Sequence, residues 1–364
     1  MQDDPWSMFA SFDEAFWLEQ AEGLESKALV VKGLNLPLRG EKREDWPPLP
    51  SKAIEGDVFP NAWELQQRVD PNEALLQALE HGVEGIRIAE PFSLRPLLEG
   101  VHLDMVSLHL AAHYETVIVQ DLQAKGATAD LKGSWLDPNS WESDDVAGQV
   151  EHMKQVAAVF PRMRSWSCSS GQWINAGAHS PQAMAEMGWS LDRFMLAMES
   201  LDQRAQATHC VVLDWVVGEH ILVEIACLRA LRMFWSRWLE FHQLPDVAVW
   251  INARNAPYPK DPSVIEDHLI PQTAGVYAAV MGGADGVEAL PHDAVNHHGV
   301  GSEEGLRWAR NVHHIMREES GLHRVSDPMG GSAVVESWTH AILDQVWKAY
   351  RSGSSIELRD NTTR

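Results

Sequence analysis

From about residue 74 onward, short apolar runs alternate with longer amphipathic stretches. The short runs predict strands at 85–89, 105–109, 129–132, 166–170, 208–213, 247–252, 286–290 and 323–326. Helical patterns lie between them. The clearest covers 219–242, where Ile221, Ile225, Leu228, Leu231, Trp235 and Leu239 recur every three to four residues. Such a stripe has to face a sheet. The stretches 302–319 and 332–350 repeat the theme, opening on Ser302 and Ser332, each suited to cap a helix. Alternation of strands and helices implies parallel strands joined by crossover helices, and about eight such units make a closed (β/α)8 TIM barrel. A doubly wound open sheet is the structural rival.

The segment before the barrel differs. Residues 11–25 form a short helical pattern with Phe12, Phe16 and Trp17, and 40–51 are charged and then proline-rich, as in an extended connection. The expected organisation is an N-terminal helical and extended arm over 1–55, a barrel over 56–351 and a polar tail over 352–364. The arm either packs on another surface or wraps back on its own barrel.

Formal net charge is −23 over 364 residues. That repels phosphate backbones and anionic membranes, so neither nucleic acid nor membrane is an expected partner. Cys168, Cys210 and Cys227 are isolated and lie in apolar segments, which suits reduced core thiols in a cytoplasmic protein. No secretory signal and no convincing membrane span is read from the chain.

Several residue groups invite chemistry. The 17 histidines include the pairs His297–His298 and His313–His314, with His292 and Asp293 nearby. A metal-dependent hydrolase using His292, His297 and His298 is one reading. His313 and His314, adjacent on a helix, diverge by about 100° and do not readily ligate one ion, and no complete ligand motif occurs. His109 and His113 have a four-residue spacing without a zinc-protease glutamate. Gly330-Gly331-Ser332 before a helix could bind an anion, although paired glycines at such turns are usually geometric. Trp166, Trp173, Trp215 and Trp250 sit in or beside predicted strands and would fill the axis if they pointed inward. The 166–170 strand alternates Ser165, Ser167 and Ser169 with Trp166, Cys168 and Ser170, giving one small polar face.

The most specific pattern lies between residues 309 and 336. Arg310, Asn311, Glu318, Glu319, Asp327, Pro328, Gly331, Ser332 and Glu336 stand at spacings that resemble a signature of the methylmalonyl-CoA mutase family. There a helix leads into the last barrel strand, which closes with Asp-Pro and Gly-Ser. The likeness runs from about residue 55 to 350 and includes Asn175-Ala176-Gly177-Ala178 and the helical stretch 224–235. The resemblance implies a barrel that binds acyl-CoA along its axis. It also implies adenosylcobalamin on a separate domain bearing Asp-x-His-x-x-Gly, and a radical carbon-skeleton rearrangement.

Three departures accompany it. No Asp-x-His-x-x-Gly occurs in the sequence, which ends about one helix after the expected last strand. Where catalytic members read Ser-Gly-Tyr-His, Ser169, Ser170, Gly171 and Gln172 stand here, and glutamine cannot act as an acid. Where an Arg-Thr-His-Ser run meets coenzyme A, Trp250, Ile251, Asn252 and Ala253 match, with Arg254 close by.

The stretches 82–89 and 97–101 resemble the family's small subunits. The resemblance thus implies a small, non-catalytic subunit stabilising a large catalytic subunit in a heterodimer. It carries no catalytic residue, cofactor or metal of its own, and adenosylcobalamin sits on the partner. Ser169, Gly171, Gln172, Trp250 and Asn252 are then degenerate substrate-pocket positions. The alternative is an active acyl-CoA-binding subunit of a split mutase that uses a separate cobalamin-binding chain.

Overall fold

The structure is a computed structural model. It describes residues 29–31, 34–37, 49–53, 59–69, 74–88, 94–136, 146–175, 178–218, 220–255, 265–294 and 301–353. An antiparallel hairpin of β1 (Leu29–Val31) and β2 (Leu34–Leu36) precedes the main sheet. The sheet is built from β3 (Glu64–Arg68), β4 (Gly85–Ile88), β5 (Ser107–Ala111), β6 (Lys132–Leu136), β7 (Met163–Arg164), β8 (Trp166–Ser169), β9 (Val211–Val217), β10 (Trp250–Asn255) and β11 (Gly286–Glu288). Every pairing in it is parallel.

β7 and β8 are two pieces of one strand, broken only at Ser165. The first piece pairs with β6 and the second with β9, while β11 pairs with β3. Counting β7 and β8 together, the strands make the expected eight-stranded α/β barrel with helices outside.

One predicted strand is wrong, and one real strand escaped the pattern. The 323–326 stretch is a short 3-10 turn, Leu322–Arg324, whose His323 carbonyl accepts the Asn61 N–H at 3.0 Å. The place beside β11 belongs instead to β3, with sequence Glu-Leu-Gln-Gln-Arg. β3 has no apolar alternation because its lumen side is polar and Gln67, on the outer side, accepts a hydrogen bond from Arg310 at 2.8 Å.

The large core lies between barrel and helices. Leu213, Trp215, Ile251 and Ala253 face the Ile221–Phe241 helix and its neighbours, which carry Leu228, Leu231, Trp235 and Trp238. A second core under β4–β6 holds Ile86, Leu108, Leu110 and Trp135. Part of the arm wraps back on this barrel: Leu34 and Leu36 are buried in the large core, and Trp338 donates to the Pro37 carbonyl at 2.8 Å. Phe12, Phe16 and Trp17 lie outside the described residues.

Part of the signature, Asp327, Gly331 and Glu336, meets in one cluster. Buried Arg229 bonds both Asp327 and Glu336, the latter at 2.7 Å, tying the Ile221–Phe241 helix to the start of Ala333–Ser352. Burial pulls the Arg229 pKa below its ordinary value, opposed by the Glu336 charge. Glu336 also accepts the Gly331 N–H at 3.1 Å, so the protein's own carboxylate occupies the helix terminus where an anion could bind. Ser332 makes no side-chain cap bond, whereas Ser302 accepts the Gly305 N–H at 3.0 Å as expected.

Candidate functional site

A barrel strand alternates its side chains, so residues that do not face the helices fill the axis. From β3 come Glu64, Gln66 and Arg68, from β10 Trp250, Asn252 and Arg254, and from β5 His109. Gln66 is the hub of a network crossing the axis. Its Nε2 donates to Asn252 Oδ1 at 2.8 Å and to Glu64 Oε1 at 2.9 Å, and lies 3.2 Å from His109 Nε2. His109 is also held by Glu64 at 2.7 Å and by Ser134 at 2.9 Å. All five residues are buried. Burial pushes the Glu64 carboxyl up, but the charge and hydrogen bond of His109 outweigh it and leave the pKa below its ordinary value.

Trp250 completes the plug. Its indole donates to Asn252 Oδ1 at 2.7 Å and lies under the Arg164 guanidinium, 4.7 Å from the ring centroid. It packs with Val212, Leu136 and Ala53. Ala53 itself is pinned across the strand N-termini, its N–H donating to Asp285 Oδ1 at 2.8 Å. Of the four tryptophans considered from sequence, only Trp250 enters the axis. Trp166 stacks on Phe194 at 3.8 Å, Trp215 donates to Glu224 at 3.1 Å, and Trp173 is buried in the large outer core.

Two glycines make room for this packing. A Cβ on Gly286 would sit 2.1 Å from Gln66 Nε2 and 2.5 Å from Asn252 Oδ1; one on Gly85 would sit 2.3 Å from Glu64 Oε1. Gly286→Ala is therefore expected to break the Gln66–Asn252 bond and cost about 1–3 kcal/mol, an overpacking penalty. Urea denaturation checks this, and an unchanged midpoint would refute the crossing network.

The remaining positions line the C-terminal mouth, where barrel enzymes build their sites. Ser169 Oγ accepts the Gly171 N–H at 3.2 Å; Gly171 and half-buried Gln172 begin the short helix Gly171–Asn175. Thus Trp250 and Asn252 meet on the axis, while Ser169, Gly171 and Gln172 stand at the rim. Arg254 also reaches the rim: its Nη2 lies 3.4 Å from the point a Cβ on Gly171 would occupy. The cation read as lost at Trp250 thus has a counterpart two inward positions farther along the same strand.

Both members of the His313–His314 pair are spent on structure. His313 Nδ1 accepts the Trp63 indole N–H at 3.0 Å, and burial, aided by the Arg317 charge, pushes its pKa down to about 3. His314 instead meets the His81 carbonyl at 2.9 Å. Asp293 accepts the Ser302 N–H at 3.1 Å. His297 and His298 lie outside the described residues. His113 is exposed beyond the end of β5, whereas His109 is buried.

Sequence reasoning missed Glu64, Gln66, Arg87 and Glu288, the last two an axial ion pair at 3.3 Å. The available signal was polar residues at alternate positions of short strands, legible only once their lumen side is known.

A family model described as methylmalonyl-CoA mutase matches residues 140–354. The methylmalonyl-CoA mutase small subunit of Streptomyces virginiae is 29% identical over 327 residues, covering 80% of this chain and 52% of that protein. The small subunit from Propionibacterium freudenreichii subsp. shermanii is 26% identical over 346 residues, covering 81% and 50%. The mitochondrial methylmalonyl-CoA mutase of Bos taurus is 32% identical over 303 residues, covering 73% and 38%. The chain spans about half the length of the small subunits it matches.

Proposed function

The chain belongs to the methylmalonyl-CoA mutase family, and we propose that it works there as the small, non-catalytic subunit of a heterodimer, stabilising a large catalytic partner in the cytoplasm. The observation that carries this reading is the filled axis. An acyl-pantetheine arm threading the barrel would have to displace Trp250 and the Gln66–Asn252–His109–Glu64 network, whose members satisfy one another. Ser169, Gly171, Gln172, Trp250 and Asn252 are then remnants of a pocket rather than a working one.

In this reading adenosylcobalamin, which would supply the radical chemistry, sits on the partner. His109, the axial imidazole, has both ring nitrogens in hydrogen bonds, Nε2 to Glu64 and Nδ1 to Ser134, and does not fit as a cobalt ligand. Residues 56–351 form the scaffold unit and 1–55 an arm that engages the partner through Phe12, Phe16 and Trp17.

Calorimetry of the isolated chain with methylmalonyl-CoA and succinyl-CoA is expected to show no saturable heat, and co-purification with a family large subunit is expected to raise that subunit's melting temperature. Micromolar acyl-CoA binding, or a large subunit indifferent to this chain, would overturn the proposal. Loss of association on deleting residues 1–28 tests the arm separately.

A further inference from the structure

Outside the barrel, three helices meet in a polar joint set among aromatic rings. Asp192, on the Ser180–Leu196 helix, is met by Trp238 from the Ile221–Phe241 helix and by Tyr350 from the Ala333–Ser352 helix. The Tyr350 hydroxyl lies 2.8 Å from Asp192 Oδ2 and 2.9 Å from Oδ1, and the Trp238 indole N–H donates to Oδ1 at 2.8 Å. His242 Nε2 stands 2.9 Å from Asp192 Oδ1 and 3.0 Å from the Tyr350 oxygen. Tyr350 and Trp238 are buried, whereas Asp192 and His242 are half-buried. Among the described residues, Tyr350 is the one tyrosine bonded to a carboxylate.

Rings continue from this joint in both directions. Trp238 stacks on Trp235 at 5.4 Å, and Tyr350 lies 5.4 Å from the half-buried ring of Trp347. Indoles and phenols are the side-chain rings that give up an electron most readily, and rings in contact offer it short steps. A phenol that loses an electron becomes a strong acid, so its proton has to leave as well. Asp192 stands within hydrogen-bond reach to accept that proton. Burial, and then the Asp192 bond and charge, push the Tyr350 pKa up, so the phenol keeps its proton until it is oxidised.

We propose that Tyr350 is a redox-active tyrosine that scavenges one-electron oxidants reaching the outer helices through Trp347 or Trp238. The oxidant removes one electron from an indole, and Tyr350 returns one to that ring. The Tyr350 O–H bond breaks, its proton passes to an Asp192 oxygen, and a neutral tyrosyl radical remains. Over the whole sequence the oxidant gains one electron, Tyr350 loses one, and the proton stays in the joint. The activity needs nothing from the barrel axis and goes beyond the scaffold role.

Flash photolysis of the full chain with ruthenium tris-bipyridine and a cobalt(III) ammine quencher supplies the oxidant, and electron paramagnetic resonance reads the radical. A neutral tyrosyl signal is expected, formed more slowly in heavy water because a proton moves with the electron. Tyr350→Phe should lose that signal and leave a tryptophanyl one. Asp192→Asn keeps an oxygen that accepts hydrogen bonds but supplies no base, so it should also lose the tyrosyl signal. Should either variant fold poorly, the triple change Tyr114→Phe, Tyr258→Phe and Tyr277→Phe leaves Tyr350 alone and should retain the signal. Only tryptophanyl radicals in the unaltered chain would overturn the proposal, as would a rate unchanged in heavy water. So would a tyrosyl signal that survives Tyr350→Phe, is undiminished in Asp192→Asn, or vanishes in the triple variant. Acyl-CoA binding is a separate measurement, so failure here leaves the scaffold reading standing.

Discussion

Asp285→Ala is expected to lower the unfolding free energy by about 3–5 kcal/mol, the usual cost of stranding one member of a buried ion pair. Asp285 is fully buried just ahead of β11 and accepts hydrogen bonds from Arg232 Nη2 at 2.7 Å, from the Ala53 N–H at 2.8 Å and from the Ile251 N–H at 2.9 Å. One carboxylate thus joins the outer helix, the arm segment across the barrel floor and β10. Alanine would leave the Arg232 guanidinium buried without its countercharge, though Arg232 keeps bonds to the Val249, Gly283 and Ser51 carbonyls. Burial pushes the Asp285 carboxyl up, but Arg232 outweighs it and holds the pKa below the ordinary value. The sign follows: a depressed carboxylate contributes stability above its unfolded pKa of about 3.9, lost as pH falls through the lower folded value. Urea titrations between pH 7 and 3 check both parts. A loss under about 1 kcal/mol at pH 7 would show that Asp285 is not the joint described here.

Trp250→Ala should cost about 3–5 kcal/mol, as for other large aromatic truncations in packed interiors. The loss has two sources. The indole vacates the space beside Val212, Leu136 and Ala53, and Asn252 and Arg164 each lose a partner. The truncated barrel is nevertheless expected not to gain acyl-CoA binding, because the Gln66–Asn252 and Glu64–His109 bonds still cross the axis. Chemical denaturation measures the first effect and calorimetry the second. A near-neutral substitution would place the indole outside the packed axis.

Much of the fold was legible because helix and outer-strand faces obey simple periods. The 219–242 stripe became the Ile221–Phe241 helix, and seven of the eight expected strands overlap barrel strands. The eighth failed for a physical reason. β3 presents Glu64, Gln66 and Arg68 to a polar lumen and Gln67 to Arg310, so no apolar face marks it. The 323–326 stretch alternates like a strand, but its His323 ring packs edge-on against Phe59 at 4.1 Å, outside the sheet. Likewise Trp166, Trp215 and Trp250 look alike in sequence, since alternation alone does not say which parity faces inward.

By itself, the sequence determined the class of fold, the family likeness and the identity of the residues that depart from it, since these depend on local periodicity and on spacing along the chain. Tertiary structure alone decided what those departures mean. Gln66 reaches Asn252 from 186 positions away, across a strand that carries glycine at Gly286 between them. Arg229 finds Glu336 from 107 positions away. The register that closes the barrel brings polar side chains from distant strands into one low-dielectric axis, where each must satisfy another. No local pattern encodes that demand, because it arises only when the strands are side by side.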